Sequence, residues 1–325
     1  VSAVLDKPGQ AGGAVAPTVL RAERVTLRFG GLTSLDSVDL SMAAGEVLAV
    51  IGPNGAGKTS LFNSLTGVYT PQEGRITFVD GQGREHALIG KTTHAVNRLG
   101  LARTFQNIRL FGALTAHENV KVAAETRQRS GPISVILGLP RARREEREAD
   151  ATAERLLAFV GLSGRINEAA SSLSYGEQRR LEIARALATE PRVLLLDEPA
   201  AGTNATEKLE LEELIRRINT ELGVGVLLIE HDMRLVMSVA HRVVVLNFGR
   251  VIAQGAPEEV QRDPVVVEAY LGTSGAEEAA ADQADQADQA GTAGGDGGDG
   301  ERAGGTGDAG QDDEDGAARS GQEER

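Results

Sequence analysis

Three clusters in this 325-residue chain have the residue types and spacing that chemistry on a polyphosphate requires. The first is Gly52-Pro53-Asn54-Gly55-Ala56-Gly57-Lys58-Thr59, which fits G-x-x-x-x-G-K-[ST] and is followed by Ser60. Its glycines let backbone N–H groups turn inward around phosphate oxygens, Lys58 supplies a point charge, and the Thr59 hydroxyl is a ligand suited to Mg²⁺. The second is Val193-Leu194-Leu195-Leu196-Asp197-Glu198-Pro199, an apolar run ending in two consecutive carboxylates. Alone, these acids have a second reading as caps of a following helix with Pro199 in its first turn. Beside a phosphate-binding loop they read as a magnesium-holding acid, Asp197, and a base for the attacking water, Glu198. The third is Leu173-Ser174-Tyr175-Gly176-Glu177-Gln178-Arg179-Arg180, where Ser174-x-x-Glu177 is a capping box that opens a helix. Free N–H groups at such a helix start, next to a short hydroxyl, favour an anion.

Elements that would position these clusters follow from the apolar pattern. Leu48 to Ile51 reads as a buried strand leading into the loop, and Leu61, Phe62 and Leu65 as the inward face of the helix after it. Val25, Leu27 and Phe29, then Val38, Leu40 and Met42, alternate on either side of Gly30-Gly31 and predict an antiparallel pair, with a further short strand over 74–81. Residues 105–172 read as a helical insertion: Thr115-x-x-Glu118 is a second capping box, for a helix reaching about Arg127, and charge is dense from Arg141 to Gly161. Between these, Ser130 to Pro140 reads as a loop. Continuous apolar runs at 193–196 and 224–229 suit parallel strands covered on both faces. Two more strands are expected at 243–246 and 250–254, then short helices to Leu271. The fold class expected is α/β, a phosphate-loop NTPase core with an antiparallel β subdomain and an α-helical subdomain.

Composition narrows the function. Net charge is −13, but residues 274–325 hold 15 acids against 3 bases, so residues 1–273 are nearly neutral and carry no field of the kind a general nucleic-acid binder uses. Absence of cysteine excludes disulfides and thiolate metal sites and is compatible with a reducing compartment. No apolar run reaches the ~18 residues of a membrane span, and there is no signal-peptide pattern, which predicts a soluble, cytosolic chain. Residues 1–19 read as a disordered arm, 20–272 as the folded domain, and 273–325, with Ala281-Asp282-Gln283 repeated three times, as a disordered acidic tail.

The third cluster closely resembles the signature motif of ABC-type ATPases, and further residues then fall into place. The resemblance implies that Phe29 stacks on adenine, that Gln106 in Arg103-Thr104-Phe105-Gln106 senses Mg²⁺ and the attacking water, that 200–204 with Asn204 is the D-loop, and that His231 touches the γ-phosphate. It implies ATP and Mg²⁺ as ligands. Lys58, Gln106, Glu198 and His231 are then the catalytic set, and Thr59, Gln106 and Asp197 serve the metal. Residues 52–60, Ser174, Tyr175, Gly176, Glu177 and Asn204 bind nucleotide. Partners implied are a second ATP-binding subunit, whose Ser174-Tyr175-Gly176 completes each site, transmembrane permease subunits and, indirectly, a solute-binding protein, with this chain held peripherally at the cytoplasmic face of the membrane. Within the family the chain looks most like the Liv-type ATP-binding subunit of branched-chain amino acid importers, through Arg103–Phe111, Tyr175 with Glu177, Ile229-Glu230-His231-Asp232-Met233 and Glu268–Gly272. It departs from that subfamily at Thr203 and Ala205, and at Ser60. Alternatives are an importer for urea or amides, an exporter subunit, a non-transport ABC ATPase, or a regulatory nucleotide-binding module.

Overall fold

The computed structural model describes residues 16–126 and 140–270. The loop expected over 130–140, the acidic tail and most of the N-terminal arm lie outside the described residues, except that Pro140 is described and begins a helix rather than ending the loop, its missing N–H being harmless in a first turn. The described residues form two sheets. A four-stranded antiparallel sheet has the order β2-β1-β4-β5, built from β1 (Thr18–Phe29), β2 (Leu32–Ala43), β4 (Glu73–Val79) and β5 (Glu85–Ala87). The larger, six-stranded sheet has the order β10-β9-β3-β8-β7-β6, from β3 (Val47–Ile51), β6 (Leu101–Arg103), β7 (Val193–Asp197), β8 (Gly225–Ile229), β9 (Arg242–Asn247) and β10 (Arg250–Gly255). Within it β9-β3-β8-β7-β6 are parallel and only β10 runs against its neighbour.

The continuous apolar runs have a simple physical cause. Side chains alternate across a strand, and each face of the large sheet is covered. Val193, Leu195, Leu227 and Ile229 face a core shared with the small sheet and α1 (Lys58–Leu65), where Leu61, Phe62 and Leu65 are fully buried. Their neighbours Leu194, Leu196, Val226 and Leu228 face a second core, made with α3 (Ala116–Glu125), α4 (Pro140–Phe159), α5 (Tyr175–Leu187) and α6 (Ala205–Leu222). A third cluster joins β3 and β9 to α7 (Met233–Val239) and α8 (Pro257–Gln261) through Ile51, Val245, Val236 and Val260.

Boundaries differ from expectation in three places. Strand β1 starts at Thr18, because Val19 and Leu20 already lie in the core, so the last residues read as an arm belong to the sheet. Helix α5 packs into the same cluster as α3 and α4, so the helical layer continues past residue 172. The short β5, α2 (Thr93–Leu99) and β6 carry too few apolar residues to form a pattern; α2 is instead marked by its cap, Thr92 accepting from the Ala95 N–H, and by Gly100 at its end. Both predicted capping boxes form, at Thr115/Glu118 and Ser174/Glu177.

Candidate active site

Parallel pairing gives the site its architecture. Strands β3, β8, β7 and β6 are successive neighbours running in one direction, so the loops after them emerge along one edge. Those loops carry, in spatial order, the glycine-rich loop, His231, the Asp197-Glu198 pair and Gln106. Ligands of open α/β sheets bind at this carboxyl edge.

In the glycine-rich loop the glycines are steric requirements. Gly52, Gly55 and Gly57 have φ of +150°, +76° and +101°. A Cβ on Gly52 would stand 2.1 Å from the carbonyl oxygen of Leu246, and one on Gly57 2.6 Å from that of Ser34. The turn therefore lies hard against β9 and β2, and the Gly249 N–H from the β9–β10 hairpin donates to the Ala56 carbonyl at 2.9 Å. Lys58 Nζ donates to the carbonyls of Gly52 (2.7 Å) and Pro53 (2.9 Å), curling back over the loop. Burial pushes the Lys58 ammonium below its ordinary pKa, while the carboxylates of Glu198 and Asp197 pull the other way. Both predicted acids are thus within electrostatic reach of the loop lysine. Thr59 is exposed at the first turn of α1, and Ser60 shares a 2.7 Å hydroxyl hydrogen bond with Ser34. Asn54 and Gly55 are exposed at the loop tip.

Around Glu198 the structure brings three sequence-predicted residues together. Gln106 Nε2 donates to one carboxylate oxygen at 2.8 Å, and His231 Nε2 lies 2.6 Å from the other. Against an ionised carboxylate that ring nitrogen carries the proton. Glu198 itself has a left-handed backbone, φ +48°, a conformation that costs a non-glycine residue about 1–3 kcal/mol. It is held there by its N–H, which donates to the Ile229 carbonyl at 2.9 Å, so β7 and β8 remain tied just where they deliver their functional groups.

Asp197 has a partner that sequence reasoning did not assign. Arg103 Nη2 is 2.6 Å from its Oδ2, both side chains being almost fully buried. The same guanidinium donates to Asn63 Oδ1 of α1 at 2.6 Å and packs near the rings of Phe62 and Phe105. Arg179 was also missed. Its guanidinium donates to the backbone carbonyls of Phe105 (2.7 Å) and Gln106 (2.9 Å), to the Tyr175 hydroxyl (3.0 Å) and to Glu182 (3.0 Å). Glu182 in turn accepts from the N–H groups of Phe105 and Arg109. One buried ion pair on α5 therefore fastens the segment that carries Gln106. The available signal was an Arg and a Glu three residues apart on the same side of the helix as its apolar stripe.

The remaining predicted residues form two groups. Ser174 Oγ accepts from the Glu177 N–H, and the Glu177 carboxylate accepts from the Ser174 N–H and pairs with Arg165. A Cβ on Gly176 would stand 2.5 Å from Glu207 Oε1, and one on Gly202 would meet the Tyr175 ring at 3.3 Å, so the starts of α5 and α6 are in contact. Asn204 caps α6, its side-chain oxygen accepting from Thr206 and Glu207 N–H groups. Phe29, at the end of β1, is 45% exposed and meets Tyr69 edge to face at 5.0 Å between centroids. The geometry as a whole suits polyphosphate: a glycine turn at a helix start, a buried ammonium beside it, and a fixed acid with a hydrogen-bonded imidazole at a nearby strand end.

Comparison with known proteins agrees. Residues 35–201 match the family model for ABC transporters, and residues 250–276 match that for branched-chain amino acid ATP-binding cassette transporters. The chain is 45% identical over 254 residues to the high-affinity branched-chain amino acid transport ATP-binding protein LivG of Salmonella typhimurium, covering 78% of this chain and 98% of that protein. It is 46% identical over an equal span, with the same coverage, to BraF of Pseudomonas aeruginosa, which has the same description. In structure it is similar to the ADP conformation of MJ1267, an ATP-binding cassette of an ABC transporter, with a TM-score of 0.67 and 30% identity over 79% of this chain and 100% of that one. Fold, loop chemistry and relatives agree, and the protein belongs to the ATP-binding, ATP-hydrolysing subunits of ABC transporters, in the branched-chain amino acid cassette group.

Proposed function

We propose that this chain powers import of branched-chain amino acids by hydrolysing ATP at the cytoplasmic face of a membrane permease, working as one of a pair of such subunits. The observation that carries the catalytic part is the Glu198 carboxylate held between Gln106 and His231 at the edge where the phosphate loop emerges. Glu198 takes a proton from the attacking water, whose oxygen bonds to the γ-phosphorus as the bond from that phosphorus to the bridging oxygen breaks, and ADP and phosphate leave. Lys58 and His231 offset charge developing on the phosphoryl oxygens. Mg²⁺ fits the donor set, since Thr59, Asp197 and Gln106 offer a few hard oxygen ligands of the sort it takes alongside phosphates and water. When bound it would neutralise charge on the β- and γ-phosphates. Phe29 supplies an exposed ring for the adenine. The Ser174-Tyr175-Gly176 start of α5 serves the γ-phosphate on the partner subunit, and Asn204 lies at the same face. Among the described residues no helix is long and apolar enough to cross a membrane, so the proposed membrane attachment is through permease subunits.

The test is Glu198→Gln in the full chain. Removing a general base costs roughly 10²–10⁴ in rate. With ATP and Mg²⁺ the variant is expected to run as a dimer in light scattering with nucleotide retained. A monomer with no trapped nucleotide refutes the paired reading. Leucine uptake by proteoliposomes containing the cognate permease tests the transported class, and ATP turnover unaffected by the permease and its amino acids refutes that part.

A further inference from the structure

The residue before His231 is a carboxylate in an unusual setting. Glu230 follows the last residue of β8 and its side chain is only 3% exposed. Both of its oxygens are committed to backbone N–H groups of two different loops. Oε1 accepts from Ala200, in the loop after β7, at 2.7 Å. Oε2 accepts from His231 at 3.0 Å and more weakly from Asp232 at 3.4 Å. Glu198 lies two residues before Ala200, and His231 meets it side chain to side chain. A closed circuit results: Glu198 to the His231 ring, His231 backbone to Glu230, and Glu230 back to Ala200. Burial raises the Glu230 carboxyl above its ordinary pKa, and the N–H groups of Ala200, His231 and Asp232 that donate to it oppose that rise.

We propose that Glu230 is a positioning residue that couples the 200–204 loop to His231, setting the imidazole against Glu198 only while Ala200 is in its place. It touches neither substrate nor the reacting atoms. Its effect passes through one rigid carboxylate that has no slack to let one loop move without the other. An isosteric amide cannot substitute. Three N–H donors converge on two acceptor oxygens, so Gln must turn its NH₂ toward donors on one side and release either Ala200 or His231. The inference rests on Glu198 and His231 forming the hydrolytic pair.

The experiment is a double-mutant cycle of Glu230→Gln and His231→Ala in the full chain, read by kcat, KM and fluorescent-nucleotide affinity, with thermal unfolding as a fold control. Expected for Glu230→Gln is a kcat lower by about tenfold or more, with KM and nucleotide affinity within twofold of the parent. In the His231→Ala background the added loss should shrink to under twofold, because the residue through which Glu230 acts is gone. Should the Gln variant not fold, Glu230→Asp keeps the charge but shortens the reach by one methylene, and the same cycle is read with it. Parental kcat in the folded Glu230 variant, or an equal loss with and without His231, overturns the coupling. Those outcomes leave the hydrolytic reading standing, which fails separately if His231→Ala itself turns over at the parental rate.

Discussion

Replacing Arg179 with Met removes the cation from an ion pair whose two side chains are each 2% exposed. Glu182 is then a buried carboxylate that has lost its directly paired cation and keeps only the weaker influence of Arg185, and breaking a buried pair from one side costs about 3–5 kcal/mol. For a domain of this size a loss of ~1 kcal/mol lowers Tm by roughly 2–4 °C, so a fall of about 6–20 °C is expected. The double variant Arg179→Met/Glu182→Leu separates stability from function. Exchanging the whole pair for apolar side chains of similar volume is often neutral or better, so most of the lost Tm should return. The anchoring does not return. The carbonyls of Phe105 and Gln106 lose their donor, and the N–H groups of Phe105 and Arg109 lose their acceptor. Gln106, released from α5, should leave Glu198 more often, and kcat should stay depressed about tenfold or more. Differential scanning fluorimetry and steady-state ATPase on the single and double variants decide the matter. A double variant with restored Tm and parental kcat refutes the idea that this pair sets Gln106.

Two further outcomes follow from the geometry. Gly52→Ala places a methyl 2.1 Å from a backbone oxygen of β9 at a φ that L residues rarely adopt, so fluorescent ATP should show no saturable binding; binding within threefold of the parent would contradict the rigid-loop reading. Glu177 sits below its ordinary pKa chiefly because the Ser174 N–H donates to it. A depressed folded-state pKa gives stability that is present above the ordinary value of 4.5 and lost as pH falls through the folded one. Glu177→Gln should therefore flatten the acid limb of the Tm-against-pH curve below 4.5, and parallel curves would refute it.

Much of this fold is readable because its strands are buried on both faces. Val193–Leu196 and Val226–Ile229 are apolar at every position, and each strand end then stands out through the polar residue that follows. The phosphate loop and the two capping boxes were readable because the residues that define each motif lie within a few positions of one another, even though the loop's packing neighbours Ser34 and Leu246 do not. What escaped was long-range. Arg103, Arg179, Glu182 and Glu230 are charges in buried places; the spacing of Arg179 and Glu182 on the apolar side of α5 was the one local signal, and it does not say which distant groups they hold. Their partners lie up to 94 residues away, as with Arg103 and Asp197, so only the folded sheet reveals them. Strand β6 escaped because three residues make no alternation.

The Gln106–Glu198–His231 constellation also has a meaning for folding. Its two hydrogen bonds span 92 and 33 residues of chain; the first needs β6 beside β7 and the second β7 beside β8, so the trio needs all three strands side by side. Parallel strands pair only after a long crossover has been ordered, so such contacts form late and together. No fragment and no half-assembled intermediate of this chain holds the acid, the amide and the imidazole at once. On the proposed reading of these three residues, a nascent subunit has no competent hydrolytic site to spend cellular ATP, and appearance of turnover during refolding is expected to report completion of the central sheet.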